Sequence, residues 1–311
     1  MSEFGFIENI KRLFADVPSQ GFEGIGDDCA VLPIGGEVLV FTTDVLVEGV
    51  HFLRSAASAA EIGYKSLAVN LSDVAAMGAE PVASMLSIAL TGETVGEWAD
   101  EFMRGYRQLS GHYGVPLIGG DTSISKSGVT INVVAIGRAR SERIKRRSDA
   151  RIGDAIMVCG TLGASAEGLR DILDGHPDTQ YAHIHKNTEP QIREGIWLGS
   201  RGEVHAMMDL SDGLASDLVH ILKASAVGAA IDTAYIPAVS DVQTAVCGGE
   251  DYKLLFTVDA EAAEALKSEF EARFGYRPTL IGEITASTEH RIEWFENGKP
   301  ITPDWQGFTH F

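Results

Sequence analysis

The hydrophobic and polar positions of this chain follow two alternating patterns. Continuous runs of apolar and β-branched residues, typical of buried strands, occur at 38–43, 81–90, 115–121 and 129–139. Apolar residues spaced three or four positions apart, as in a helix with one buried face, fill 61–78 and 97–114. Gly78 and Gly114 are placed to end these two helices. The alternation of strand and helix predicts a layered α/β or α+β domain.

A basic, polar stretch interrupts the pattern at 140–154, RSERIKRRSDARIGD, and we place a domain boundary near residue 140. The predicted domains are therefore 1–140 and 141–311. Beyond the boundary the same two patterns return. They predict strands at 155–160, 204–210 and 251–258, and helices at 163–173, 211–228 and 260–275.

Turn-forming residues complete the prediction for the second half. Asn297 and Gly298 favour a hairpin within 291–302. Gly228 is expected to cap the helix over 211–228. The polar stretch 177–191 is expected to be a loop.

Length and charge narrow the functional classes. A chain of 311 residues with 45% hydrophobic residues is expected to form two domains of ordinary size. The net charge of −19 argues against binding to nucleic acid, which requires a basic surface. It does not exclude nucleotides, because carboxylates reach phosphates through divalent cations.

The N-terminus and the cysteines indicate a cytoplasmic protein without a membrane partner. The opening segment has early acidic residues instead of a basic start followed by an apolar block, so no signal peptide is predicted. The apolar runs are shorter than the ~20 residues that cross a bilayer. The three cysteines are widely spaced and lack the pairing of a zinc site, which is typical of buried thiols in a reducing compartment.

Aspartates recur where apolar segments meet loops, and two of them are adjacent in GIGDDCAV at 24–31. Any one of them is explained by a turn or a helix N-cap. Their recurrence is harder to explain, because carboxylates are poorly suited to buried strand ends unless they are paired or bind a cation. The six positions are Asp28, Asp44, Asp73, Asp121, Asp209 and Asp212.

If these carboxylates converge, their repulsion requires a positive charge, and Lys and Arg are sparse beside them. Mg²⁺ prefers oxygen ligands and commonly joins carboxylates to phosphate oxygens. The glycines of GIGDD and IGGDT would let the backbone approach such an anion closely. Neither stretch fits the Walker or the dinucleotide-binding pattern. The residues alone therefore indicate metal-dependent phosphate chemistry on a different scaffold.

Seven motifs together resemble the thiamine-monophosphate kinase family, a branch of the aminoimidazole-ribotide-synthetase-like superfamily. They occur in that family's order and span nearly the whole chain: GIGDDCAVL, TTDVLVEGVHF, NLSDVAAMGAEP, LIGGDT, MDLSDGLASDL, GGEDYKL and WQGFTHF. The resemblance implies a two-domain fold of that superfamily, α/β then α+β, with ATP in the cleft between the domains. It also implies a homodimer in which strands of the N-terminal domains pair.

The resemblance further implies direct, in-line transfer of the ATP γ-phosphoryl group to thiamine monophosphate, assisted by several Mg²⁺ ions. The positions that match magnesium ligands are Asp28, Thr42, Thr43, Asp44, Asp73, Asp121, Asp209 and Asp212. Those that match nucleotide contacts are Gly120, Asp121, Arg147 and Ser211. Those that match contacts to thiamine monophosphate are His51, Glu250 and Phe308. No catalytic base is assigned, because the substrate phosphate is itself the nucleophile and is largely ionised at neutral pH.

Simpler interpretations of single residues stay open at this point. On spacing alone, Arg147 fits an exposed basic loop and Phe308 fits a packed aromatic side chain. Glu250 and His51 fit ordinary loop residues. Two other functions also stay open: the same fold acting on a ribotide or another small acidic acceptor, and a non-catalytic regulator that binds a cation or a nucleotide.

Overall fold

The computed structural model describes residues 3–287 and 289–308, and within α1 nothing is said of the side chain of Phe4. The last three residues of the WQGFTHF motif lie outside the described residues. The described chain forms two β-sheets, with helices packed against each.

The first sheet has five strands in the order β1-β2-β5-β3-β4. All neighbours are antiparallel except β3 and β4, which are parallel. The strands are β1 (Ala30–Ile34), β2 (Glu37–Val47), β3 (Glu80–Leu90), β4 (Leu117–Ile124) and β5 (Thr130–Arg140). The helices of this half are α1 (Glu3–Leu13), α2 (Ala59–Ala76) and α3 (Glu97–Tyr113).

Helix α2 is the central element of the molecule. It begins with a capping box, in which Ser58 and Glu61 exchange hydrogen bonds with each other's backbone amides. Buried residues occur on all of its faces, and Leu67, Leu71 and Val74 have no exposed surface. Most of these buried residues are apolar, as expected for a helix enclosed by the rest of the molecule. Here α2 packs against the first sheet, against α3 and against elements of the second half.

Two glycines set the distance between α2 and α3. A Cβ at Gly63 would lie 2.0 Å from the carbonyl oxygen of Phe102, and one at Gly105 would lie 1.8 Å from that of Ala60. Neither position has room for a side chain. The two helix backbones are therefore in direct contact.

The second sheet has seven strands in the order β12-β11-β8-β10-β6-β9-β7. Its pairs are antiparallel apart from β8 with β11, so this half is α+β. The strands are β6 (Ala155–Val158), β7 (Val204–Asp209), β8 (Gly228–Asp232), β9 (Leu254–Val258), β10 (Thr279–Thr285), β11 (Ile292–Glu296) and β12 (Lys299–Ile301). The helices are α4 (Ala164–Leu173), α5 (Gln180–Lys186), α6 (Ile192–Gly199), α7 (Leu214–Ser225), α8 (Val242–Cys247) and α9 (Ala263–Phe274).

The two halves meet through backbone contacts between α2 and α6. A Cβ at Gly195 would lie 2.2 Å from the carbonyl oxygen of Ala75. A Cβ at Gly78, just after α2, would lie 2.9 Å from the Cα of Gly199. The end of α2 therefore lies directly against the second half.

The structure confirms the hairpin and the helix end at Gly78. Gly78 has the left-handed conformation (φ 71°) that commonly ends helices. Asn297 and Gly298 turn the chain between β11 and β12, both with positive φ. The predicted strand at 38–43 runs on to Val47, so Asp44 lies inside a strand and not at its end.

Two predictions for the second half are wrong. The expected loop at 177–191 contains α5, which Thr179 caps by accepting a hydrogen bond from the amide of Ala182. The helix predicted to reach Gly228 ends at Ser225, because Ala226 takes the left-handed conformation and Gly228 begins β8. The pattern also missed three strands, β1, β8 and β10, which are short or lack a continuous apolar run.

None of the helices in the described part of the chain is long and apolar enough to cross a membrane.

The close contact of α2 and α3 predicts opposite effects of alanine at two glycines of α3. Gly105→Ala is expected to lower the free energy of unfolding by about 2 kcal/mol, because the new Cβ forces the helices apart. Gly111→Ala is the matched control, since nothing lies within 4 Å of its Cβ position. That change is expected to stabilise by about 0.5–1 kcal/mol through helix propensity. Urea denaturation measures both, and equal effects of the two changes would contradict the packing.

Candidate functional site

Three carboxylates from distant parts of the chain converge in the interior. Asp28 lies in the turn before β1, Asp73 in the last turn of α2, and Asp209 at the end of β7. One oxygen of each lies within 4.8 Å of the others. The side chain of Asp28 is 1% exposed, and Asp209 is 2% exposed. These three residues, which we call the aspartate cluster, are three of the six aspartates that the sequence predicted to converge.

Two members of the aspartate cluster accept a hydrogen bond from a hydroxyl, and the third accepts one from an arginine. The hydroxyl of Thr42, on β2, donates to Asp73. The hydroxyl of Ser72 donates to Asp209. Arg147 donates from Nη2 to Oδ1 of Asp28 at 2.7 Å. Arg147 is thus part of this site and not an exposed basic loop residue.

One arginine leaves the aspartate cluster with excess negative charge. Burial, together with the charges of Asp44 and Asp209, raises the pKa of Asp73 well above its usual value. Burial and the charge of Asp28 raise the pKa of Asp209 to about 8. The second oxygen of Asp28 is buried and has no hydrogen-bond partner among the described residues. A buried carboxylate oxygen without a donor, next to two further carboxylates, fits a hard divalent cation.

Asp44 links the aspartate cluster to a large cavity. Its backbone amide donates to Oδ1 of Asn70, on α2, at 3.0 Å. Its carboxylate is buried, which raises its pKa to about 6, and its charge acts on Asp73. The side-chain amide of Asn132 donates to the hydroxyl of Thr43 at 2.7 Å and to the carbonyl of Asp44. Thr43 and Asp44 both line the cavity.

The cavity has a volume of about 910 Å³ and is lined by both halves of the chain. Five further residues named from the sequence lie on its wall: His51, Ser211, Asp212, Glu250 and Phe308. The rest of the wall includes an apolar region, to which Leu53, Ile62 and Leu169 contribute.

The C-terminal segment forms part of the cavity wall. The backbone amide of Phe308 donates to the carbonyl of Asp212 at 2.9 Å. The ring of Phe308 is 50% exposed. The side chain of Phe308 is therefore half-exposed at the cavity wall and does not belong to the core.

Glu250 is an acidic residue on the cavity wall that is paired with a lysine. Lys65, on α2, donates to its Oε2 at 3.1 Å. Burial alone would raise the pKa of Glu250, but the nearby Lys65 and His185 outweigh it and lower that pKa. Glu250 therefore stays ionised at neutral pH.

Gly120 and Asp121 lie elsewhere, on the edge strand β4. Both are exposed, and neither is among the residues that line the cavity. The predicted strand ended at Asp121, but β4 continues to Ile124, so Asp121 lies within it. Gly120 is required by packing, because a Cβ there would lie 1.7 Å from the carbonyl oxygen of Leu86. Within one copy of the chain, the structure does not bring these two residues to the aspartate cluster.

Sequence reasoning missed four polar residues of the site: Lys65, Asn70, Ser72 and His185. The first three lie on α2 at buried positions. The sequence did contain an indication of their role, since polar residues in an otherwise apolar helix must find partners. His185 lies on α5, the helix that the sequence pattern did not predict.

Comparison with protein families matches both halves of the chain. Residues 26–139 match the N-terminal domain of AIR synthase related protein, and residues 151–295 match the C-terminal domain of that family.

Curated relatives and solved structures match over nearly the full length. The chain is 40% identical over 327 aligned positions to the thiamine-monophosphate kinase of Escherichia coli (strain K12), covering 97% of each chain. It is 34% identical to that of Bacillus subtilis (strain 168), covering 93% of each. The structure of AaThiL complexed with AMPPCP and TMP matches with a TM-score of 0.85 and 30% identity, covering 100% of this chain and 97% of the other.

The raised pKa values predict how stability depends on pH when no divalent cation is present. The pKa of Asp209 is about 8 in the folded chain, against its ordinary value of 3.8 in the unfolded chain. Between those values the folded state holds more protons, so the free energy of unfolding falls as pH rises, by about 1 kcal/mol per pH unit for one such group. Asp209→Asn is expected to reduce the slope, as is saturating Mg²⁺. Chemical denaturation from pH 6 to 8 measures this slope. Equal slopes in the wild-type protein and in Asp209→Asn would contradict the raised pKa of Asp209.

Proposed function

This chain belongs to the thiamine-monophosphate kinase family, and we propose that it transfers the terminal phosphoryl group of ATP to thiamine monophosphate, which yields thiamine diphosphate and ADP. The observation that carries the proposal is the aspartate cluster, which opens through Asp44 onto a cavity large enough for two substrates. AaThiL, which shares the fold over nearly its whole length, binds AMPPCP, an ATP analogue, together with TMP.

The proposal assigns Mg²⁺ to the carboxylate end of the site. The aspartate cluster with Thr42 supplies the buried oxygens, and Thr43, Asp44 and Asp212 supply oxygens at the cavity. When bound, Mg²⁺ neutralises charge on the phosphates and holds the reacting groups in line. The buried oxygen of Asp28, which has no partner among the described residues, supports this assignment.

Nucleotide binding is assigned to residues near that end. Arg147 presents a fixed positive charge, held against Asp28 at 2.7 Å, and its Nε is buried without a hydrogen-bond partner among the described residues. Ser211 lies on the cavity wall beside Asp212. Gly120 and Asp121 are assigned on the LIGGDT motif alone.

The two domains of the proposal are 1–140 and 141–311, with ATP in the cleft between them.

Thiamine monophosphate is assigned to the part of the cavity that holds His51, Glu250 and Phe308. Phe308 offers a half-exposed aromatic ring for stacking on a heterocycle. The Nδ1 of His51 accepts a hydrogen bond from the amide of Val47 at 3.0 Å, which fixes the orientation of the ring. Glu250 offers an ionised carboxylate.

The reaction requires no side-chain base. A phosphate oxygen of thiamine monophosphate attacks the γ-phosphorus of ATP, and the bond from that phosphorus to the bridging oxygen breaks, so ADP leaves. The attacking oxygen is already ionised at neutral pH. The protein then contributes positioning and compensation of charge, which suits a site made of carboxylates, hydroxyls and one arginine.

Removing one metal-facing carboxylate tests this function. Asp44→Asn is expected to lower the turnover of ATP with thiamine monophosphate about 100-fold or more, while the thermal melt stays cooperative. Asp174→Asn is the matched control, because that carboxylate is exposed at the end of α4. Release of ADP, measured in a coupled assay, gives the rate, with thiamine and an aminoimidazole ribotide as alternative acceptors. Equal turnover with all three acceptors would contradict the proposed substrate, and full activity of Asp44→Asn would contradict the metal assignment.

We also propose that two copies of the chain associate through the first sheet. Strand β4 is exposed at every residue, including Leu117 (40%), Ile118 (60%) and Ile124 (69%). Val45 on β2 and Met85 on β3 are also exposed. An edge strand with exposed apolar side chains normally has a partner that covers it, and pairing with a second copy would do so.

A charge on β4 is expected to separate the two copies. Ile118→Asp should change the mass in solution from twice the chain mass of 33.3 kDa to the chain mass itself. Ile152→Asp is the control, because Ile152 is 65% exposed but lies outside the first sheet. Light scattering after size exclusion gives the masses. A dimer that survives Ile118→Asp would place the interface elsewhere.

A further inference from the structure

A buried lysine crosses between the two halves of the chain to reach Glu250. Lys65 is only 5% exposed, and it lies on α2 among apolar residues. Its Nζ lies 3.1 Å from Oε2 of Glu250, which is 185 residues further along the chain. A buried ammonium group requires such a partner, because its desolvation is costly. The pair therefore holds both groups in one arrangement.

A histidine from α5 approaches the same oxygen of Glu250. Nδ1 of His185 lies 3.4 Å from Oε2 of Glu250 and 2.9 Å from the hydroxyl of Ser165. Burial, with the charge of Lys65, lowers the pKa of His185 to about 4. The ring is therefore neutral at neutral pH, and it packs against Oε2 of Glu250 without adding a second positive charge.

The backbone around Glu250 is held in an uncommon conformation. Glu250 (φ 64°) and Tyr252 (φ 48°) both have left-handed backbones, which side chains other than glycine adopt rarely. The amide of Glu250 donates to the carbonyl of Ser211 at 2.7 Å, and that of Tyr252 donates to the carbonyl of Leu210 at 2.8 Å. Such strain persists only where the surroundings enforce it, and it commonly occurs at ligand sites.

These contacts leave the two oxygens of Glu250 in different situations. Lys65 and His185 both contact Oε2, whereas Oε1 has no hydrogen-bond partner among the residues that the structure describes. Glu250 also lines the cavity. Since Lys65 already compensates the charge of Glu250, a cationic ligand would gain little from the carboxylate as a counter-ion. Oε1 remains a strong acceptor for a hydrogen bond.

We propose that Lys65 and His185 are positioning residues that hold Oε2 of Glu250 so that Oε1 accepts a hydrogen bond from an N–H group on the heterocycle of the acceptor substrate. The inference rests on the proposed function, in which that acceptor is thiamine monophosphate, whose aminopyrimidine carries such a donor. It assigns Glu250 a role in recognising a donor and not in attracting a positive charge. Neither positioning residue touches the transferred phosphate in this proposal.

Steady-state kinetics of Lys65→Met test the proposal. The change is expected to raise KM for thiamine monophosphate about tenfold, because Oε1 loses its fixed orientation, and to leave KM for ATP nearly unchanged. Lys65→Arg, which keeps the charge, should recover part of the loss. Lys145→Met is the matched control, because Lys145 is also a buried lysine but donates to the carbonyls of Arg201 and Val204. That control should leave KM for thiamine monophosphate unchanged.

A double-mutant cycle separates positioning from a merely structural role. If Lys65 acts through Glu250, Lys65→Met should add almost nothing to the rise in KM that Glu250→Ala causes. Independent, multiplying effects of the two changes would overturn the proposal. If Lys65→Met does not fold, His185→Gln serves the same test with the same expected direction.

The outcomes also distinguish this inference from the proposed function. The inference alone would be overturned if the folded Lys65→Met and His185→Gln variants kept both the wild-type turnover number and the wild-type KM for thiamine monophosphate. If the wild-type protein neither turned over nor bound thiamine monophosphate, the proposed function would be overturned, and this inference with it.

Discussion

The repulsion among buried carboxylates is the constraint on which the rest of this structure depends. Asp28, Asp73 and Asp209 come from three separate segments, and each would be more stable in water than beside the others. The fold nevertheless places them together and supplies one arginine. Burial raises the pKa of Asp209 because it penalises the charged form, and the same burial concentrates the negative potential that attracts a divalent cation. Burial of the carboxylates therefore both destabilises the empty site and gives it the capacity to bind a divalent cation.

Helix α2 connects the two ends of the site. Its last turn carries Asp73, and eight residues earlier it carries Lys65, the partner of Glu250. Eight residues correspond to about 12 Å along a helix axis. Because both groups belong to one buried helix, the separation between the carboxylate end and the acceptor end is fixed by helix geometry. The capping box at Ser58 and Glu61 fixes where that helix begins.

The sequence predicted most elements of the first half, because these depend on local patterns. It also predicted that six aspartates converge, of which three form the aspartate cluster and two line the cavity. The strand of β2 and the helix of α2 follow from apolar spacing, and a carboxylate in an apolar environment signals a partner. Asp121 shows the limit of such reasoning. Its motif resembles a ligand position, but pairing with β3 places it on an exposed edge, and pairing between strands is not encoded locally. Helix α5 was missed for a similar reason, since its packing depends on α4, where a Cβ at Gly168 would lie 2.1 Å from the carbonyl oxygen of Tyr181.

The glycine contacts between α2 and α6 limit how the molecule can move. Where Gly195 meets Ala75 and Gly78 meets Gly199, backbone lies on backbone, with no flexible side chain between them to absorb a rotation. Closely packed interfaces of this kind slide by small amounts and do not swing open. We therefore expect the two halves to keep their relative placement when ligands bind, because a large rotation would force these backbones into each other.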